Sequence, residues 1–167
     1  ASDCTVYEEV SKPFAALYEL RAKMRALEHD IETLAKEGRD TDRLLKEYDT
    51  LTEKSYRDGA FDFEYKIEWV LRGLQIREED WNRQVSTFSG GEKNRIALAR
   101  ELVKSPDILL LDEPENHLDF EGMEWLEDFI RSYEKTIVII SHNRYLLDMA
   151  VNKIWSLEQG EIREYSG

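Results

Sequence analysis

Leu17, Leu20, Met24, Leu27, Ile31 and Leu34 recur at alternating spacings of three and four. That is the seam of a helix packed against one partner, not the period of a strand. Gly38-Arg39-Asp40 predicts a turn. Leu44, Leu45, Tyr48, Leu51 and Ser55/Tyr56 then line one face of a second helix. A short turn between two such helices predicts an antiparallel hairpin over about 14–58. Upstream, Thr5 and Glu8 have capping-box spacing, so a first short helix starts there. Pro13 interrupts it, and Ser11 offers a cap for the restart. Gly59 ends the hairpin. Asp62 is placed to cap a further helix carrying Phe63, Ile67, Val70, Leu71 and Leu74.

After about residue 85 the pattern changes. Ser89-Gly90-Gly91 opens a helix that runs to about Lys104 and is stopped by Ser105-Pro106-Asp107. Ile108–Leu111 and Ile137–Ile140 are short, wholly apolar runs, the kind buried in a parallel sheet. A helix at about 120–132 separates them, and a short helix begins near Asn143. Ile154–Leu157 and Glu161–Tyr165 flank Gln159-Gly160 as a terminal hairpin. Strands alternating with helices predict an α/β layer. The expected architecture is α/β: a helical subdomain over 1–85, then the second half of a parallel-sheet core over 86–167. Trp69, Trp81, Trp125 and Trp155 are expected in core or half-buried positions.

The 167 residues carry 36 acidic and 23 basic side chains, a net charge of −13 spread evenly along the chain. Such acidity argues against a stand-alone nucleic-acid binder, which needs a basic footprint. No apolar run is long enough to span a bilayer, and no charged-then-apolar secretory signal opens the sequence. The single cysteine, Cys4, excludes an internal disulfide and fits a reducing, cytoplasmic setting.

Three stretches carry candidate chemistry. Ser89-Gly90-Gly91-Glu92 lies at a helix start, where free N–H groups and the helix dipole favour a phosphate. Asp112-Glu113-Pro114 follows the first apolar strand and puts two carboxylates at the usual ligand edge of an α/β sheet. One carboxylate can hold Mg²⁺ through its water shell, and its neighbour can deprotonate an attacking water. Ser141-His142 ends the second apolar strand, where a histidine can donate to a phosphate. Read singly, each has an ordinary explanation: a helix cap, a solvated carboxylate pair, a structural histidine. Their order along the chain is far more demanding.

In that order the chain resembles the ATP-binding-cassette (ABC) ATPases. Thr87-Phe88-Ser89-Gly90-Gly91-Glu92 resembles the signature motif. Leu109–Pro114 resembles Walker B with its catalytic glutamate, His117-Leu118-Asp119 the D-loop, and His142 the switch histidine. Asn116-His117-Leu118-Asp119, the stretch Ser141–Asp148 and the closing Glu164-Tyr165-Ser166-Gly167 resemble the ABC-F branch, soluble twin-cassette proteins acting mainly on ribosomes. The hairpin at about 14–58 resembles the arm inserted in that family's first cassette. The sequence departs from the family pattern at Phe88, Glu115 and Asn143, where leucine, threonine and aspartate are usual.

The resemblance implies ATP and Mg²⁺ as cofactors, bound between two head-to-tail cassettes of one polypeptide. Ser89, Gly90, Gly91 and Glu92 would face nucleotide held by the second cassette, and Asp119 would cross the seam. Asp112 would sit at Mg²⁺ through water, Glu113 would be the general base, and His142 would contact the γ-phosphate. Ribosomal RNA or tRNA is the implied partner. A P-loop needs Gly-x-x-x-x-Gly-Lys-Ser/Thr. No two of the eight glycines stand five apart, and no Gly-Lys pair occurs. The chain is therefore expected to be part of a cassette, inactive alone, whose uncovered apolar surfaces promote self-association. Alternatives are a split ABC head of the SMC type, the ATPase subunit of a transporter, and a non-enzymatic helical interaction module.

Overall fold

The computed structural model describes residues 3–158 and 160–166. Seven helices and four strands follow in chain order. Helix α1 (Val6–Ser11) leads through a 3₁₀ turn (Lys12–Phe14) into the hairpin of α2 (Ala15–Lys36) and α3 (Asp42–Arg57). Then come α4 (Phe63–Gly73), α5 (Gly90–Leu102), β1 (Ile108–Asp112), α6 (Phe120–Ser132), β2 (Thr136–Ile140) and α7 (Arg144–Ala150). β3 (Lys153–Glu158) and β4 (Glu161–Ser166) close the described chain. β1 and β2 pair in parallel, and β3 and β4 form the expected antiparallel hairpin. Gln159 of its turn, and Gly167 of the closing stretch, lie outside the described residues.

Thr5 caps α1 as its spacing predicts. Its hydroxyl accepts the Glu8 amide at 3.2 Å, and its own amide donates to Glu8 Oε2 at 2.8 Å. The remaining free amides of the first turn reach across the chain. Val6 N–H donates to Arg83 O and Tyr7 N–H to Trp81 O, while Val85 N–H returns to Cys4 O. These bonds satisfy groups that a helix end otherwise leaves orphaned. They also fix the segment leading into α5.

Glu9 secures the other end of α5. This carboxylate is nearly buried and accepts from Arg100 Nη1 at 2.6 Å, from Cys4 Sγ at 3.1 Å and from Lys12. Burial alone would raise its pKa, but the donors outweigh it and hold the group at about 2, down from an ordinary 4.5.

One apolar cluster joins α1, α4, α5, α6 and the inner face of β1, through residues such as Val6, Ile67, Leu71, Ile96, Leu102, Leu111 and Leu126. Each such side chain contributes about 1.5–3 kcal/mol by leaving water. Gly73 lets α4 close on α6: a Cβ there would lie 2.0 Å from Trp125 Cε2. Trp125 joins Trp69 and Phe129 in a ring cluster.

The hairpin follows its heptad but buries only part of it. Leu20 and Met24 are buried, whereas Leu27, Ile31 and Leu34 are half-exposed, because two helices alone cannot enclose a seam. Gly38, at φ +71°, ends α2 with Arg39 N–H bonded to Leu34 O, the bond of a Schellman end. Tyr48 Oη donates to Glu28 Oε1 across the hairpin at 2.6 Å.

Two capping expectations fail. Ser11 does not cap the restart; its hydroxyl donates back to Tyr7 O. Asp62 stands at the start of α4 without a side-chain bond, since its ψ of −9° departs from the extended conformation usual for a cap. The sheet buries one face of its apolar strands and leaves the other uncovered, as expected of part of a cassette. On β1, Leu109 and Leu111 are buried but Ile108 and Leu110 are exposed, and Val138 and Ile140 of β2 are exposed on the same face. Both strands are thus covered on one side among the described residues. Trp155 is exposed as well, on the hairpin face it shares with Leu157 and Ile162.

The stabilisation from Glu9 is complete above pH 4.5 and disappears as pH falls toward 2, where the native carboxylate takes up its proton. Glu9→Gln removes that acid-dependent portion and, tempered by the partial exposure of Arg100, costs about 2 kcal/mol at pH 7. Urea titrations of both proteins between pH 2 and 7 measure it; parallel pH curves would refute the assignment.

Candidate functional site

The parallel register sets Asp112 opposite Ile140, so both strands end at one edge. The Glu113 amide extends the ladder by one bond, to Ile140 O at 2.7 Å. Glu113 then takes φ +45° and turns the chain off the strand. For a residue with a Cβ, that conformation costs about 1–3 kcal/mol and persists only where surrounding bonds determine it. Asn116 provides two of them. Its backbone amide donates to Glu113 O at 3.1 Å, and its side-chain amide donates to Glu113 Oε2 at 2.7 Å.

The other carboxylate oxygen, Oε1, lies 3.2 Å from His142 Nε2. The expected catalytic pair, Glu113 and His142, is therefore in direct polar contact. Asp112, the expected metal ligand, immediately precedes Glu113 and is exposed at the strand end. Among the described residues no cluster of three or more acidic, histidine or cysteine side chains could cage a metal by itself. Asp112 alone suits Mg²⁺, which usually keeps several waters and takes one or two carboxylates together with phosphate oxygens.

Ser89 caps α5 through a second capping box. Its amide and its hydroxyl both donate to Glu92 Oε2, at 2.8 and 2.6 Å, and the Glu92 amide returns to Ser89 Oγ at 3.4 Å. The Ser89 hydroxyl, followed by its amide, holds the Glu92 carboxyl below the ordinary range. Glu92 is thus engaged with its own helix cap. Gly90 faces open space, whereas Gly91 packs on His117, whose ring would lie 3.1 Å from a Cβ added there. His117 itself sits at φ +72°. Asp119 caps α6, accepting the Gly122 amide at 2.8 Å.

The predicted residues thus fall into three places linked by the 113–117 loop. Glu113 and His142 meet directly; Ser89–Glu92 lie at the α5 start and touch the loop through His117; Asp119 leaves the loop to begin α6. Between α5 and the end of β1 lies an open cleft of ≈ 360 Å³ bordered by Arg95, Leu98, Asp112, Glu113, Asn116 and His117. Two supporting contacts escape the sequence. The Asn116 bond to Glu113 is signalled only by a three-residue spacing. Glu115, a departure from the family pattern, accepts a hydrogen bond from Ser141 Oγ. Asn143, another departure, caps α7 by accepting the Tyr145 and Leu146 amides.

Comparison with known proteins identifies the family. The family described as ABC transporter matches residues 8–116. The chain is 40% identical over 124 residues to the putative ATP-binding protein YdiF of Bacillus subtilis, covering 74% of this chain and 19% of that one. It is 36% identical to ABC transporter F family member 5 of Arabidopsis thaliana over 98% of this chain and 24% of that one. It is also 36% identical to the energy-dependent translational throttle protein EttA of Escherichia coli K12, over 94% and 27%. The chain spans about a quarter of the length of such relatives.

Among solved structures, the dimeric bacterial ABC transporter cassette MJ0796 superposes with a TM-score of 0.53 at 27% identity, covering 61% of this chain and 46% of that one. A second structure of MJ0796, a post-hydrolysis state bound to ADP and Pi, gives 0.51 at 28%, over 61% and 46%. An ATP-binding subunit of an ABC transporter gives 0.57 at 17%, over 63% and 45%, a likeness of fold.

Replacing Gly91 by Ala gains helix propensity but presses a methyl group on the His117 ring. The expected result is stability unchanged within about 1 kcal/mol and a displaced His117 imidazole signal in NMR spectra. Gly90→Ala, which meets nothing, leaves that signal in place. Identical His117 signals in both variants would contradict the packing.

Proposed function

The chain belongs to the ATP-binding-cassette family, and from that premise we propose that it is part of an ABC-F-type ATPase that hydrolyses ATP between two cassettes to act on the ribosome. Residues 1–85 serve as the helical subdomain with its arm, and 86–167 as the half of the ATPase core carrying the signature, Walker B, D-loop and switch histidine. The observation that carries this reading is the meeting of Glu113 and His142 at the ends of paired parallel strands, 3.2 Å apart and next to Asp112. Its relatives include an ABC-F member and a protein named as a translational throttle. No helix among the described residues is long and apolar enough to cross a membrane.

In this reading the chain's residues position and polarise. Asn116 fixes one oxygen of Glu113, and the other, which faces His142, is the one to take the proton of an attacking water. His142 donates to the phosphate being cleaved, and Asp112 holds Mg²⁺ through water. ATP with Mg²⁺ supplies the electrophilic phosphorus and the cation that offsets its charge. Ser89, Gly90 and Gly91 offer an open helix start to nucleotide on the second cassette, and Asp119 lies along the seam. The two-helix hairpin closes through the short 37–41 turn, which favours an ABC-F arm over the long coiled coil of a split head.

Because no Gly-x-x-x-x-Gly-Lys occurs in the chain, hydrolysis belongs to the longer protein, where positioning supplies most of the rate. In that protein Glu113→Gln retains ATP binding and lowers turnover by at least about a hundredfold. Turnover equal to the wild type would remove Glu113 from the chemistry.

On the chain alone, the uncovered Ile108, Leu110, Val138 and Ile140 drive self-association. Light scattering at micromolar concentration shows an assembly, and Leu110→Lys with Val138→Lys returns it toward a monomer. A monomeric parent chain would exclude this.

A further inference from the structure

We propose that Glu115 is a positioning residue that sets the His142 loop against Glu113. The imidazole side chain of His142 is 89% exposed. Packing therefore does little to hold it, and its place depends on the backbone of the Ser141–Asn143 turn. That turn is tied down from the opposite loop. Ser141 Oγ donates to Glu115 Oε1 and itself accepts the Asn143 amide at 2.9 Å. Asn143 in turn starts α7 through its bonds to the Tyr145 and Leu146 amides.

A chain of hydrogen bonds thus runs from Glu115 through Ser141 and Asn143 into α7, with His142 enclosed by it. Glu113 lies two residues before Glu115 on the same strained turn. The loop carrying the carboxylate that faces His142 also carries the one that orients the His142 backbone. No hydrogen bond or ion pair joins Glu115 to His142 among the described residues, and its second oxygen, Oε2, is buried with no hydrogen-bond partner there.

Its bearing on hydrolysis rests on the function proposed above. The geometry does not, so the test reads geometry on this chain without nucleotide. In Glu115→Ala, hydrogen exchange at the Asn143 amide accelerates by about tenfold. The cross-peak between the His142 ring and the Glu113 side chain is lost, while amides of the β1–β2 ladder keep their protection. Ser141→Ala reproduces both effects, and the double variant is no worse than either single change, as members of one chain of bonds require. Glu115→Gln keeps an acceptor oxygen for Ser141 and restores the wild-type pattern.

Two results overturn the proposal. One is an unchanged Asn143 amide and His142 cross-peak in Glu115→Ala. The other is a loss of protection spread equally over β1 and β2, which would make Glu115 a general stabiliser. If Glu115→Ala does not fold, Ser141→Ala decides the question by the same two readings. A failure of the ATPase assignment leaves all of these readings unaffected.

Discussion

Everything at the candidate site depends on the parallel pairing of β1 and β2. Parallel strands bring their C-terminal ends to the same edge, and the five-residue register places Asp112 level with Ile140. The next amide, that of Glu113, is spent on Ile140 O, so the ladder ends where the functional turns begin. A shift of one residue would send Leu109 and Leu111 to the uncovered face and separate Glu113 from His142. The inward side of β1, seated on the cluster of α1, α4, α5 and α6, prevents that shift. The core therefore specifies the chemistry indirectly, by fixing which residue of each strand is last.

The second constraint is the attachment of α5. Its beginning depends on Ser89 and Glu92, its approach on the bonds from α1 to the 81–85 segment, and its end on Arg100 and Glu9. These anchor points span the whole of α5, and the last two come from the first residues of the chain. Helix α1 is short and would not persist alone. It survives because its free amides and its one nearly buried acid are both matched to the helix it supports.

Much of this was legible in the sequence. The capping box at Thr5, the hairpin, the two apolar strands and the terminal β-hairpin follow from spacing and turn chemistry. Glu113 and His142 could be paired because each directly or nearly follows an apolar run of fixed length. What was hidden depends on distance along the chain. Glu9 and Arg100 lie far apart in sequence, so no local pattern links them. That some apolar sheet surface stays uncovered was expected, but which residues face outward was not: wholly apolar runs read the same whether one face or both are covered, and only the arrangement of neighbours decides it. Ser11 and Asp62 failed as caps because cap residues are common at helix starts while the extended backbone they require is set by the preceding turn.

The 113–117 loop gathers these constraints into one object. It holds two non-glycine residues at positive φ, Glu113 and His117, with Pro114 buried between them. Such a segment has few alternative conformations and cannot relax at one end without disturbing the other. At its middle Glu115 reaches Ser141; at its end His117 backs Gly91. The loop that carries the carboxylates therefore touches the histidine turn on one side and the start of α5 on the other. In a two-cassette ATPase those two sides would serve different nucleotides. A strained, doubly anchored loop is the physical connection through which the state of one can bear on the other.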